Sequence, residues 1–142
     1  MTEARPQRSD FPHVREIATR WMDNDVYGHL NNVVYYSLFD TAVNQYLIEA
    51  GVLDIERSPA FGVVVETGCK YFASLAYPDR AAVGVRCAHL GRTSVQYEVA
   101  VFRNDETAPA ALGRFVHVYV DRDSRKPTQI PDDVRAALTA IQ

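Results

Sequence analysis

One stretch of the 142-residue chain constrains the fold more than any other: residues 33–50. There Tyr35, Leu38, Phe39, Ala42, Val43, Tyr46, Leu47 and Ala50 recur at steps of three and four, which is a helical period. Val34, Tyr36 and Ile48 carry apolar surface past a single stripe. A helix this apolar is expected to be covered by other structure on most of its sides. Asn31 or Asn32 suits its N-cap, and Gly51 suits its C-terminal stop.

What can cover it follows from the rest of the chain. Residues 13–21 predict a short strand with Val14, Ile17 and Trp21 as its apolar members. Beyond a turn at Arg57-Ser58-Pro59, residues 61–73, 81–90, 93–103 and 108–121 predict four more strands. In the third of these, Val95, Tyr97, Val99 and Val101 alternate with Ser94, Gln96 and Glu98, the period-two pattern of a half-buried strand. Tyr77-Pro78-Asp79, Gly91-Arg92 and Asn104-Asp105 punctuate the runs. Residues 131–141 predict a short amphipathic helix, with Pro131 at its first position and a Val134, Leu138, Ile141 stripe. Helices and strands are segregated, so the class is α+β. One apolar helix and a sheet of about five strands imply a sheet that curls around the helix. Residues 13–142 read as a single domain, and residues 1–12, polar and without periodicity, as a mobile lead-in.

Composition removes several functions. Apolar residues make up 47% and charged residues 23%, as in ordinary globular chains. The net charge of −3 provides no global positive field for nucleic acid or an anionic membrane. No apolar run reaches the roughly 20 residues of a membrane span. The polar first eleven residues contain no apolar stretch of the kind a secretory leader needs. Cys69 and Cys87 have neither CxxC spacing nor neighbouring ligands, so reduced thiols and a cytoplasmic address are expected. No metal or cofactor site is expected.

The chemistry concentrates in the segment 21–35, WMDNDVYGHLNNVVY. Its Asp, Asn and Gly content predicts a loop bonded to its own backbone, leading straight into the long helix. A helix N-terminus presents unpaired N–H groups and the positive pole of the helix dipole, so an oxyanion is stabilised there. A carboxylate held just upstream can then act as base or nucleophile on a carbonyl bound at that end. Asp25 and Asp23 are the candidates. A calcium loop is excluded, because Tyr27 and Val34 stand where oxygen ligands are required.

The pattern D-x-D-x-x-G-H-x-N-N-x-x-Y, here Asp23, Asp25, Gly28, His29, Asn31, Asn32 and Tyr35, resembles the 4-hydroxybenzoyl-CoA thioesterase family of hot-dog fold acyl-CoA thioesterases. Arg20, Lys70-Tyr71 through Tyr77-Pro78-Asp79, Gly91-Arg92-Thr93-Ser94, and the tail from Asp121 to Pro131 extend the resemblance over residues 13–140. It implies a hot-dog fold with Asp25 as the catalytic carboxylate and the backbone N–H of Asn32 at the thioester oxygen. It also implies an active site at a dimer interface, with the coenzyme A nucleotide on the neighbouring subunit. Arg92 and Ser94 stand where they can serve that nucleotide. His29 is expected to position the thioester or pack the loop, and Asn31 and Tyr35 to border the substrate. Asp23 is expected to hold the loop.

Asp40 is the runner-up carboxylate. Relatives of a second type carry their acid about two turns into this helix, and an Asp there is costly unless paired or solvated. Glu66 ranks lower, and Arg122, Arg125 and Lys126 form a basic cluster that can meet coenzyme A phosphates. The expected activity is hydrolysis of acyl-CoA to a carboxylic acid and coenzyme A by a homodimer or a dimer of dimers. The alternatives are a non-catalytic acyl-CoA-binding protein and a hot-dog enoyl-CoA hydratase or dehydratase.

Overall fold

The computed structural model describes residues 4–142. In chain order the elements are β1 (His13–Ala18), α1 (Asn32–Glu49), β2 (Ala60–Tyr71), β3 (Arg80–Leu90), β4 (Ser94–Arg103), β5 (Ala111–Asp121) and α2 (Asp132–Thr139). The five strands form one antiparallel sheet in the order β1-β3-β4-β5-β2. The helix α1 lies on one face of it, so the curled sheet around one long helix is as expected.

The alternation in β4 explains the layer. Val95, Tyr97, Val99 and Val101 are all fully buried on the helix side. From α1, Tyr35, Leu38, Phe39, Ala42, Val43 and Leu47 join them in one core. Gly113 on β5 lets the helix come down close. A Cβ built there would stand 2.3 Å from Cε2 of Phe39. The tail closes the far end, where Val134, Leu138 and Ile141 are buried in the same core.

Four expectations need correction. Trp21 is not a strand residue. It opens a short 3₁₀ turn, Trp21–Asp23, and is 81% exposed. The helix α1 is not covered on most sides, because Val33, Ser37, Asp40, Thr41 and Ile48 lie open to solvent in one row. Pro131 is the N-cap of α2 rather than its first residue. Residues 4–12, read from composition as a mobile lead-in, lie across the outer face of the sheet. Phe11 is buried with Ala82, Ala100 and Phe102, and Arg8 donates to the carbonyl of Asn104 at 2.9 Å.

The strand β2 is an edge. Among the described residues it pairs with β5 alone, and it carries a bulge between Val64 and Glu66. Val64 and Val65 are largely exposed. Its direction is opposite to that of α1. Tyr71 at its end stacks edge-on against Tyr35 in the first turns of the helix, with ring centroids 5.0 Å apart. Its first residues lie beside the helix C-terminus.

Candidate active site

The loop before α1 is built by its own polar side chains. Asp23 is buried at 5% exposure, and one of its oxygens takes the Arg20 guanidinium at 2.9 and 3.1 Å. The other accepts the Arg20 backbone N–H at 2.8 Å, and the Asp23 carbonyl accepts the N–H of Asn31 at 3.0 Å. Asp23 is thereby spent on structure, as its position predicts. Asn24 pins the loop from the other side, accepting from the N–H of Tyr77 at 3.0 Å. The N–H of Leu30 donates to the carbonyl of Leu75 at 2.8 Å.

Within this frame residues 25–29 make a tight turn. The Asp25 N–H donates to the His29 carbonyl at 2.9 Å, and Gly28 turns with φ of 85°, a conformation glycine adopts without strain. The Asp25 carboxylate is mostly covered, with 17% of its side chain exposed. One oxygen accepts the Tyr27 N–H at 2.9 Å, and the other lies 3.6 Å from Nδ1 of His29. That ring nitrogen is also 3.2 Å from the carbonyl of Leu30.

The helix start supplies the donor. Asn31 is the N-cap, and its side-chain oxygen accepts the N–H of Val33 at 3.0 Å. The N–H of Val34 donates to the Asn31 carbonyl at 2.9 Å. The N–H of Asn32 has no acceptor among the described residues. Asn32 lines a cleft of about 360 Å³ together with His29, Leu30, Tyr35, Tyr71, Ala73 and Ser74. An unpaired amide at the positive end of a helix, opening on a cleft, is a preformed seat for a negative oxygen.

The cleft wall is aromatic. Burial pushes the Tyr35 phenol up, with a backbone contact to Leu75 partly opposing it. Burial, Cys69 and Tyr36 raise Tyr71 above the usual phenol range, so both rings stay neutral near physiological pH. Sequence reading missed Tyr71, Ala73 and Ser74. The stacking partner of Tyr35 comes from a strand end 36 positions away, and the helical period around Tyr35 carries no trace of it.

Asp25 and Asn31 flank this cleft in sequence but do not themselves line it, and the remaining expected site residues fall elsewhere. Asp40 is on the exposed row of α1 and accepts from the Asn44 side chain at 3.0 Å, outside this cleft. Glu66 pairs with Arg114 at 3.2 Å on the edge strand. Arg92 lies in the β3–β4 turn and Ser94 opens β4. The carbonyl of Arg92 accepts from Ile130, and Ser94 sits opposite Val118 on β5. That is the opposite end of the sheet from Asp25, so one chain does not bring them to the cleft. Among the described residues no group of three or more His, Cys, Asp or Glu side chains stands together as a metal site. Among the described residues no helix is long and apolar enough to cross a membrane.

A five-stranded antiparallel sheet wrapped on one helix, with a carboxylate loop leading to an open helix end, is the hot-dog architecture of a thioester hydrolase. The chain belongs to the thioesterase-like superfamily, whose family model matches residues 19–138. It is similar to the crystal structure of the PA5185 protein of Pseudomonas aeruginosa, with 52% identity, a TM-score of 0.94, and 98% and 97% of the two chains covered. A thioesterase complexed with coenzyme A and zinc from Thermus thermophilus shares 30% identity over 92% of this chain and 94% of that one, with a TM-score of 0.78. Among curated proteins, the chloroplastic acyl-acyl carrier protein thioesterase ATL2 of Arabidopsis thaliana is 24% identical over 87% of this chain and 66% of its own length.

Proposed function

We infer that the protein hydrolyses acyl-CoA thioesters to a free carboxylic acid and coenzyme A, in the manner of the 4-hydroxybenzoyl-CoA thioesterases that its loop resembles. The observation that carries this reading is the N–H of Asn32, without an acceptor among the described residues, in a residue that lines the cleft at the end of the Asp25 loop. The thioester oxygen is seated on that N–H. Asp25 then works on the carbonyl carbon, either by attacking it or by taking a proton from water that attacks it. In the water route the proton passes to the Asp25 carboxylate, the new C–O bond forms and the carbonyl oxygen becomes negative against Asn32. Collapse breaks the C–S bond, and the departing thiolate takes the proton back. In the attacking route the Asp25 carboxylate adds to the carbonyl carbon, the C–S bond breaks and the thiolate departs to be protonated by solvent, and water then cleaves the resulting mixed anhydride of Asp25.

The energetic case rests on the fixed donor. Losing one oxyanion donor costs about 10²–10³ in rate in well-studied enzymes. The Asn32 amide is held by the N-cap, so it does not reorganise as charge develops. A thiolate leaves without a strong general acid near neutral pH, so one carboxylate suffices. His29, 3.6 Å from Asp25, orients that carboxylate, and Tyr35 walls the acyl chain while Asn31 fixes the helix start.

The working unit in this reading is a homodimer. Val64, Val65 and an unpaired row of backbone groups make β2 a template for a second strand. Beside the cleft, Trp21, Met22, Val26, Tyr27 and Val33 are each more than two-thirds exposed. Exposed apolar side chains grouped this closely in the chain suit a contact face.

The test is release of free thiol from a panel of acyl-CoAs by the purified protein. Asp25→Asn is expected to lower kcat at least about 100-fold while leaving the thermal midpoint within a few degrees. Full activity in that variant would transfer the role to Asp40. Tight acyl-CoA binding without turnover would make the protein a sensor, and loss of enoyl-CoA absorbance without thiol release would make it a hydratase.

A further inference from the structure

The cleft at the start of α1 is short along the helix. From α1 it takes Asn32 and Tyr35, about one turn apart, and from the end of β2 and beyond it takes Tyr71, Ala73 and Ser74. Phe39, the next residue on the Tyr35 stripe, is not part of its wall. That ring is fully buried and fills the space against Gly113, where a Cβ would stand 2.3 Å from its Cε2. Tyr35 is 3% exposed and Tyr71 is 44% exposed, and their rings meet edge-on at 5.0 Å. The cleft therefore runs from an open helix end to a pair of phenol rings, with a filled core behind them.

Both rings are held in place. Tyr35 belongs to the main core. The Tyr71 phenol interacts with the side chains of Tyr36 and Cys69, and Tyr36 packs edge-on against Phe39 with centroids 5.9 Å apart. The backbone beyond Tyr71 is fixed as well, because the N–H groups of Phe72 and Ala73 donate to the Ala110 carbonyl at 2.7 and 3.1 Å. On the outer face of the sheet the Arg5 guanidinium lies 3.6 Å from the centroid of the Phe72 ring. Tyr71 is thus a braced stop rather than a loose flap.

The helical rise sets the length of group that fits. Tyr35 is three residues past Asn32, about 4.5 Å along the axis, and Phe39 is seven residues past it, about 10.5 Å. An extended alkyl chain advances about 1.25 Å per carbon, from bonds of about 1.5 Å at tetrahedral angles. A chain whose carbonyl sits at the Asn32 N–H meets the two rings after about four carbons, and about eight would carry it to the buried Phe39.

We propose that Tyr71 is the specificity-determining residue of this cleft, stopping the acyl group against Tyr35 after about four carbons, so that the substrates are short-chain acyl thioesters. This rests on the acyl-CoA hydrolase reading and assigns it a substrate class. A longer chain has to part Tyr71 from Tyr35 or leave its methylenes in water, and either course removes transition-state binding.

The experiment measures thiol release by the full-length protein from acetyl-, butyryl-, hexanoyl-, octanoyl- and lauroyl-CoA. In the wild type kcat/KM is expected to peak at butyryl-CoA and to fall at least about tenfold by octanoyl-CoA. Tyr71→Ala removes the ring at a half-exposed position, and its thermal midpoint reads whether the fold survives. It admits further methylenes, each worth about fourfold when buried. Its kcat/KM for octanoyl-CoA is expected to rise at least about tenfold, with acetyl-CoA changed less than about threefold. Tyr71→Leu leaves less empty space and is expected to move the profile the same way by less. Tyr71→Phe keeps the ring and is expected to keep the wild-type profile. A wild-type profile that is flat or peaks at lauroyl-CoA would overturn the proposal. So would an unmoved optimum in folded Tyr71→Ala and Tyr71→Leu, or a shift in Tyr71→Phe as large as in Tyr71→Ala. Absence of thiol release from every acyl-CoA overturns the underlying hydrolase reading instead.

Discussion

Replacing Gly113 with alanine tests how the helix carrying Asn32 is seated. In an open strand the change is expected to stabilise, because glycine costs roughly 0.5–1 kcal/mol relative to alanine in a strand interior. Here the new methyl would stand 2.3 Å from Cε2 and 2.5 Å from Cζ of Phe39, a fully buried ring on α1. Such distances cannot persist, so either the ring leaves its rotamer or the helix lifts off β5. Overpacking of a filled core costs about 1–3 kcal/mol. With about 2.1 cal/mol/K of unfolding entropy per residue, 142 residues give roughly 0.3 kcal/mol per degree. The thermal midpoint of Gly113→Ala is therefore expected to fall by about 3–10 °C. Scanning calorimetry reads the midpoint, and a double-mutant cycle reads the cause. Phe39→Leu frees space at that contact, so the two substitutions together should destabilise by less than their sum. Activity should fall with the same trend, because the Asn32 amide rides on the helix that moves. A midpoint at or above wild type, or strict additivity with Phe39→Leu, would refute the close-approach argument.

Two further outcomes follow from the structure. Asn31→Ala removes the acceptor for the Val33 N–H and is expected to cost about 1 kcal/mol of stability, read by urea unfolding. Its kcat should fall further than that loss alone explains, because the cap also holds the Asn32 amide in place. Burial pushes His117 down from 6.5 to about 4. Between those values the unfolded chain binds a proton that the native protein refuses. Stability therefore falls as pH drops through that window, by about 3 kcal/mol in all. Replacing His117 with leucine should remove about one proton from the pH dependence of the unfolding free energy, and an unaltered slope would exclude His117 as its source.

The loop and the helix were legible from the residues because their causes are local. Asp23, Gly28 and Asn31 each satisfy backbone groups within three residues or supply a turn at their own position. Such chemistry survives in any tertiary setting. The buried stripe of α1 and the alternation of β4 were legible for the same reason, since period reports which face meets the core. Trp21 was misread because one apolar residue at a strand's end looks the same whether it enters a core or stands in solvent.

The tertiary structure alone decided what lines the cleft at the start of α1. Tyr71, Ala73 and Ser74 reach the cleft through the register of β2 on β5 and its antiparallel course to α1. Arg92, Ser94, Arg122 and Arg125 go to the far end because successive strands reverse direction. Phe11 ties down a segment of polar composition because the outer face of the sheet offers it Ala82, Ala100 and Phe102. Pairing register and strand order depend on contacts between positions tens of residues apart, and short-range periodicity holds no record of them. The sequence by itself therefore determined an acidic loop at the head of an apolar helix. Long-range packing determined the walls around it, and it set Arg122 and Arg125 at the other end of the same helix.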